Sequence, residues 1–338
     1  MRVFSQSHTV STAFNGDLSR WQTGKVINME HMFYDNFVFE SNLALWDVSN
    51  VISMGSMFSG ARRFTSDLSQ WNVAQVRNMR FMFNEAELFQ SDLSRWDTSR
   101  ADDMSSMFAL ASLFSSDLSN WVVSRVTNMR GMFSEASSFV SDISQWEVGQ
   151  VTDMAFMFSE APKFSSDLSK WDTKNVEDME AMFQFASNFN SDVSGWNTGK
   201  VTKMGHMFVQ AARFNSDISG WNVSSVESMS YMFRGTEQFN SALSSWDVSK
   251  VKVMSNMFNG AVFNQNIGMW DITAVSDMHG MFYGNAGFNQ NLCAWGPRLV
   301  AAGNLDIDVR QSFELTACDN DDDPDLSRDP PGPFCFAC

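Results

Sequence analysis

Cysteine is missing from the first 292 residues of this 338-residue chain, and all four copies fall in the last 46. Histidine occurs only at His8, His31, His206 and His279, too scattered to complete a Ser-His-Asp arrangement or a metal-ligand spacing. No glycine-rich phosphate loop appears. No apolar run approaches the roughly 20 residues that cross a bilayer. The opening MRVFSQSHTVSTA has one Arg and no continuous apolar region, so it is not expected to be a secretory leader. Basic residues are scarce, 23 Lys and Arg against 39 Asp and Glu, for a net charge of −16. That balance argues against nucleic acid and anionic membranes as partners. The plentiful acids do not suggest an enzyme, because a general acid needs a partner in a distinct pocket.

What fills the chain is one phrase, repeated. Trp21, Trp46, Trp71 and the tryptophans that follow recur every 25 residues as far as Trp246, and Trp270 and Trp295 continue the row. All 12 tryptophans are repeat positions, as are 22 of the 24 methionines and 23 of the 31 phenylalanines. A fixed period of this length signals a solenoid. Counting from Phe14, the unit reads F-x-S-D-L-S-x-W-x-V/T-x-x-V-x-x-M-x-x-M-F-x-x-A-x-x. Residues 1–13 form an N-terminal flank or degenerate cap, 14–287 eleven tandem repeats, and 288–338 an incomplete repeat, a cap and an acidic, proline-rich tail.

Two periods lie inside the unit. Val226, Met229, Met232 and Phe233 recur at helical steps, which predicts a helix of about three turns. Ser224 is placed to cap it, as are Ser49, Ser99, Ser124, Ser249 and Thr273 in their units. Ile218, Trp221 and Val223 predict a short strand, with Trp and Val on one side. The expected fold is therefore an α/β repeat solenoid, leucine-rich-repeat-like, with one short parallel strand and one helix per turn. At roughly 4.8 Å per strand, eleven turns would run on the order of 50 Å. One unit alone buries too little apolar surface to offset its ordering entropy, and stacked units share theirs.

The end of the chain departs from this pattern. Five of the six prolines follow Trp295, and from Asn304 onward there are nine acids and two arginines. Such an end shields the last open core from water. Cys293, Cys318, Cys335 and Cys338 suggest two disulfides in an oxidising compartment. Of three pairings the favoured one joins Cys293 to Cys318 and Cys335 to Cys338. No second pair or His cluster completes a zinc site around the last two.

Units such as Trp46 to Phe64 and Trp246 to Phe263, of the form W-D-V-S-x-V-x-x-M-x-x-M-F-x-G-A-x-x-F, resemble the methionine-rich repeats of BspA-type leucine-rich-repeat surface proteins. The likeness covers residues 14 to about 296. The ending LCAWG, a lone Cys, then PPGPFCFAC, is similar to the ends of versions from marine microalgae. The resemblance implies a secreted or surface-displayed solenoid used for adhesion or binding, with no enzymatic activity. The family's lipid-attachment or wall-sorting signals are not visible.

Each column admits more than one reading. The Trp row could stack sugars if it faced outward, but its step from Val and Leu places it in the core. The M-x-x-M pairs could offer thioethers to copper(I), yet each is followed by Phe on the apolar face, so they also read as core. Asp17, Asp67, Asp92, Asp117, Asp142, Asp167, Asp192 and Asp217 share one position. They either cap turns through backbone N–H groups or hold calcium between rungs. Asn42, Ala242, Asn266 and Asn291 take that position in other units.

Function is expected where the units differ. The residue after each Trp, namely Gln22, Asp47, Asn72, Asp97, Val122, Glu147, Asp172, Asn197, Asn222, Asp247 and Asp271, should point outward. Together with Arg20, Arg95 and Lys170 these make a polar, mostly acidic ribbon. It either keeps the solenoid soluble or meets a protein or glycan partner through many weak contacts. The expected protein is an extracellular or cell-surface adhesion or binding module without a cofactor. The alternative is a self-associating component of a coat or fibre.

Overall fold

Alternate backbone N–H groups of each M-x-x-M-F segment point out of their own coil and into the next. Met79, Phe81, Phe83 and Glu85 donate to the carbonyls of Asp103, Ser105, Met107 and Ala109 at 2.8–3.0 Å. The residues between them close four-residue turns, Met82 onto Met79, Asn84 onto Phe81 and Ala86 onto Phe83. A computed structural model describes residues 14–338 in this way; the flank 1–13, with His8, lies outside the described residues. The chain divides into two compact units, Met1–Asp172 and Thr173–Cys338. In the first, isolated parallel bridges join Asn28, Ser53, Asn78, Asp103, Asn128 and Asp153 in succession. In the second they join Asp178, Lys203, Ser228, Val253, Asp277 and Asp308. Each unit is a repeat solenoid.

The expected helix of each repeat does not form. Among the described residues the one α-helix is α1, Trp295–Ala301, in the C-terminal region. The expected strand is reduced to a single bridged residue per coil, and that residue lies outside the Trp segment. The reason is visible in the dihedrals. Two residues per coil, such as Phe81 (φ 54°) and Glu85 (φ 56°), sit in the left-handed region, which no α-helix contains. Each is the third residue of its turn, as a type II turn requires. That conformation costs on the order of 1 kcal/mol for a residue with a Cβ. Against that cost stand the bonds these same residues make to the neighbouring coil, Phe81 N–H to the Ser105 carbonyl and Glu85 N–H to the Ala109 carbonyl. The apolar spacing is unchanged, so Val76, Met79, Met82, Phe83 and Ala86 are buried all the same.

The core consists of stacked rows. In Met1–Asp172, Phe83 lies 4.0 Å from Phe89 within its coil and 5.6 Å from Phe58 and Phe108 in the coils beside it. Phe208 in Thr173–Cys338 repeats this, 3.8 Å from Phe214 and 5.7 Å and 5.8 Å from Phe183 and Phe233. The tryptophans stack in parallel, Trp96 on Trp121 at 6.3 Å and Trp196 on Trp221 at 6.2 Å. From Trp46 onward they are nearly inaccessible; Trp21 is 44% exposed.

Polar atoms lock these rows together. The Leu43 carbonyl accepts the backbone N–H of Trp46 and, at 3.1 Å, the indole N–H of Trp71 from the next coil. Ile218 does the same for Trp221 and Trp246. The Leu68 N–H donates to the Ser91 hydroxyl at 2.8 Å, and that hydroxyl turns to Asp67 Oδ1. The serine before each Asp thus fastens one coil to its predecessor, a role the sequence reading did not assign. Where Thr replaces Val after the Trp, its hydroxyl reaches the next coil as well, Thr98 to the Val122 carbonyl at 2.9 Å.

Three bends per coil are held by a side-chain oxygen that accepts the N–H two residues on. Asp67, Asp92, Asp117, Asp142, Asp167, Asp192 and Asp217 each do so at 2.9 Å. Asp47, Asn72, Asp97, Asn197, Asn222, Asp247 and Asp271, after the Trp, form a second such column. Asn78, Asp103, Asn128 and Asp153, at the bridges, form a third. Ser224 and its equivalents therefore cap no helix; the Ser224 hydroxyl donates to Asn222 Oδ1 at 2.8 Å.

After Cys293 the chain makes α1 and then lays down one further degenerate rung. Met278, Gly280, Phe282 and Gly284 donate to the carbonyls of Asp308, Arg310, Ser312 and Glu314, and Phe313 stacks on Phe282 at 5.6 Å. The tail then folds over the open end. Phe334 is fully buried, edge-on to Trp295 and Phe313 at 6.4 Å. The disulfides join Cys293 to Cys338 and Cys318 to Cys335, which corrects the favoured pairing. Because the tail doubles back, Cys338 lies with its Cα 5.5 Å from that of Cys293, and Cys335 lies 4.7 Å from Cys318. The two bonds tie the segment just after Phe334 to Cys293 and Cys318.

Two outcomes follow from this network. Ser91→Ala leaves the buried Leu68 N–H without an acceptor, and chemical denaturation is expected to show a loss of about 1–3 kcal/mol. Gln70→Ala, at an exposed site, should stay within about 0.5 kcal/mol of the parent. The second outcome concerns acid. The Ser49, Ser99 and Ser249 hydroxyls, followed by their backbone N–H groups, hold Asp47, Asp97 and Asp247 below the usual carboxylate range. A lowered folded-state pKa adds stability above the unfolded value of about 3.9, and that stability drains away as the pH falls further. For Asp308, beside Arg310, the loss continues to about 2. The triple variant Asp47→Asn, Asp97→Asn, Asp247→Asn should match the parent's melting temperature at pH 7, since Asn72 and Asn222 hold the same bond. It should lose less of it between pH 4 and 3; an unchanged acid slope would contradict this account.

Candidate functional site

The Asp column first considered for calcium is occupied by the turns. Each carboxylate accepts the backbone N–H two residues on, and Asp67, Asp142 and Asp217 also accept a serine hydroxyl from the following coil. Backbone N–H donation comes first among the causes that lower the pKa of Asp67, Asp92, Asp142 and Asp217. Among the described residues, no group of three or more His, Cys, Asp and Glu side chains is placed to hold a metal ion. An open groove of about 500 Å³ runs beside Asp67, Asp92 and Gln90.

The ribbon after the Trp row lies on the surface. Gln22, Asp47, Asn72, Asp97, Glu147, Asp172, Asn197, Asn222, Asp247 and Asp271 are all exposed, and Val122 is 46% exposed. Most of these side chains have one oxygen committed to a bend, and the second oxygen or amide nitrogen of Asp47, Asp172 and Asn222 lies beside a glycine of the preceding coil. This double duty was not evident in the sequence reading.

Gln22, Val122 and Glu147 depart from the Asp or Asn of the ribbon, and the stretch around Glu147 lines a groove. At Glu147 the extra methylene replaces the Asp or Asn that makes the two-residue bond, and Gly149 stands where Ser49, Ser99, Ser124 and Ser249 stand elsewhere. A Cβ at Gly149 would meet Asp172 Oδ2 at 3.1 Å, so glycine keeps the space open. The result is a groove of about 480 Å³ whose walls include Gln145, Glu147, Gln150, Lys170 and Asp172. Two carboxylates, two carboxamides and one ammonium group thus converge on a glycine floor. Trp146 beneath it is 3% exposed and offers no stacking face.

Elsewhere several surface charges are paired. Arg62 lies between Glu85 and Glu87, Asp102 between Arg77 and Arg125, and Lys203 lies 2.9 Å from Asp178. Exposed pairs of this kind contribute little to stability. His206 stacks on Tyr231 at 4.8 Å, and burial pushes its pKa down. A third cleft, of about 360 Å³, lies at the cap among Leu305, Ile307, Val309, Pro324 and Leu326. Among the described residues, no helix is long and apolar enough to cross a membrane.

No curated protein matches the sequence. Among solved structures, the leucine-rich repeat domain of APL1B aligns over 86% of both chains at 7% identity, with a TM-score of 0.25. The TLR13–ssRNA13 complex aligns over 79% of this chain and 41% of that one at 11% identity, with a TM-score of 0.22. Likeness at that level shows nothing about a ligand. Residues 2–121, 110–221 and 213–313 match the family described as "Mycoplasma protein of unknown function, DUF285", and the chain therefore belongs to that family.

Proposed function

We propose that the protein is a non-catalytic binding module of the extracellular space or cell surface, a solenoid of the BspA-type leucine-rich-repeat kind that engages a protein or glycan partner in adhesion. The observation that carries this reading is the contrast between inside and outside. The buried rows keep one residue type from coil to coil, whereas the exposed residue after the Trp changes at almost every step. Gln145, Glu147, Gln150, Lys170 and Asp172 line a polar groove on that ribbon. Two disulfides fit an oxidising compartment. An open groove implies weak single contacts strengthened by repetition along the ribbon. No cofactor enters this reading.

The alternative is a coat or fibre assembled from side-by-side or end-to-end solenoids. Phe334 and the tail cover the C-terminal end of Thr173–Cys338, which disfavours addition of another copy there.

A glycan and cell-surface protein array probed with the whole chain tests the proposal. Capture of a defined set of partners is expected, with at least a tenfold loss of signal in Glu147→Gln combined with Gly149→Ser. Capture that ignores these substitutions, or fibres in electron micrographs of the purified protein, would count against it.

A further inference from the structure

The sequence contains one Asn-Xaa-Ser/Thr triplet, Asn222-Val223-Ser224. It lies on the exposed ribbon of Thr173–Cys338. Asn222 Oδ1 accepts the Ser224 N–H at 3.1 Å and the Ser224 hydroxyl at 2.8 Å. The Asn222 carbonyl accepts the Thr198 hydroxyl at 3.0 Å, and Val223 is buried to 1% exposure, so the backbone beneath the triplet is fixed. These two bonds engage only the oxygen of this exposed side chain and leave Nδ2 uncommitted by them, beside Gly199 of the preceding coil, where even a Cβ would make no more than an ordinary contact at 3.4 Å.

We infer that Asn222 is an N-glycosylation site, modified on Nδ2 by a lipid-pyrophosphate-linked oligosaccharide in a secretory lumen. In the transfer, Nδ2 attacks the anomeric carbon of the first sugar and an N–C bond forms. The bond from that carbon to the pyrophosphate oxygen breaks, and the lipid pyrophosphate leaves with the electron pair. Nδ2 gives up one proton to a base of the transferase. The hydroxyl of Ser224, held on the amide oxygen, polarises the carboxamide for this step. The folded surface then has room for the product, because the residue is exposed and the groups beside it on the ribbon, Asn197 and Asp247, are short and polar. A glycan here would cover that part of the ribbon and keep partners from it.

The inference rests on the secreted half of the proposed function and not on any ligand. Its test enforces secretion, so that the two can fail separately. The full chain is produced behind a cleavable leader in a eukaryotic secretory host and recovered from the medium with both disulfides formed. Treatment with a peptide N-glycosidase is expected to remove the mass of one glycan and convert Asn222 to Asp, located by peptide mapping. The repeats supply folding-neutral controls. Asn222→Asp copies the bend made by Asp47 and Asp247, and Ser224→Ala copies the pair Asn72 and Ala74. Both variants should be secreted at the parent's level, melt at the same temperature and carry no glycan, whereas Ser224→Thr should keep it. Secreted, folded parent protein with an unmodified Asn222 overturns the inference, as does a glycan that persists in Asn222→Asp.

Discussion

Each coil offers the next a carbonyl and an amide on either side of its short apolar segment, and the next coil answers both. The carbonyl of Leu43 receives the indole N–H of Trp71, and the amide of that same leucine donates to the hydroxyl of Ser66. Burying a large aromatic ring costs least when its one polar atom finds a partner. For Trp46, Trp71, Trp96, Trp121, Trp146, Trp171, Trp221, Trp246 and Trp270 that partner is the backbone of the coil before, whereas the indole N–H of Trp295, beneath the cap, has none. The arrangement couples the hydrophobic term, which comes from stacking Trp and Phe, to a hydrogen-bond term that is met only between coils. A single repeat would satisfy neither, and this is why the phrase recurs with so little variation inside.

The rest of each coil follows from that coupling. Since side chains and alternate N–H groups point to neighbours, the backbone has to turn sharply three times per circuit. Short side chains with an oxygen one carbon from Cβ hold those bends. Asp and Asn do this interchangeably, as Asp67 and Asn42 do in successive coils. The turn-capping reading of the Asp column is the one these bonds bear out.

The apolar rows were legible in the sequence because burial leaves a period, and Val, Met, Met, Phe and Ala are buried as that period requires. The backbone path was not. Spacing of three and four residues describes which side chains share a face, and turns with left-handed residues at Phe81 and Glu85 share that face as well as a helix does. The signal that could have separated the two was faint: glycine appears at Gly60, Gly131, Gly235, Gly260, Gly280 and Gly284, all with positive φ, in places where a helix would resist it. The last rung escaped notice because α1 interrupts the period and because Val309 and Ser312 replace the methionines. The disulfide pairing depends on a tail that returns across the end of the core, and sequence distance does not encode that path. On the ribbon, exposure could be read from the step after Trp, but the break at Glu147 gains meaning only beside the bends its neighbours make.

Exchange of the indole N–H protons, followed by NMR, tests the central claim most directly. The account predicts slow exchange for the indoles bonded to the preceding coil, such as Trp71, Trp96, Trp121 and Trp146 in Met1–Asp172 and Trp221, Trp246 and Trp270 in Thr173–Cys338. Within Met1–Asp172, the protection of Trp121 and Trp146 should fall in Phe133→Ala, which opens the stacked row beside them. Exchange as fast as that of free tryptophan in the intact protein would contradict the account.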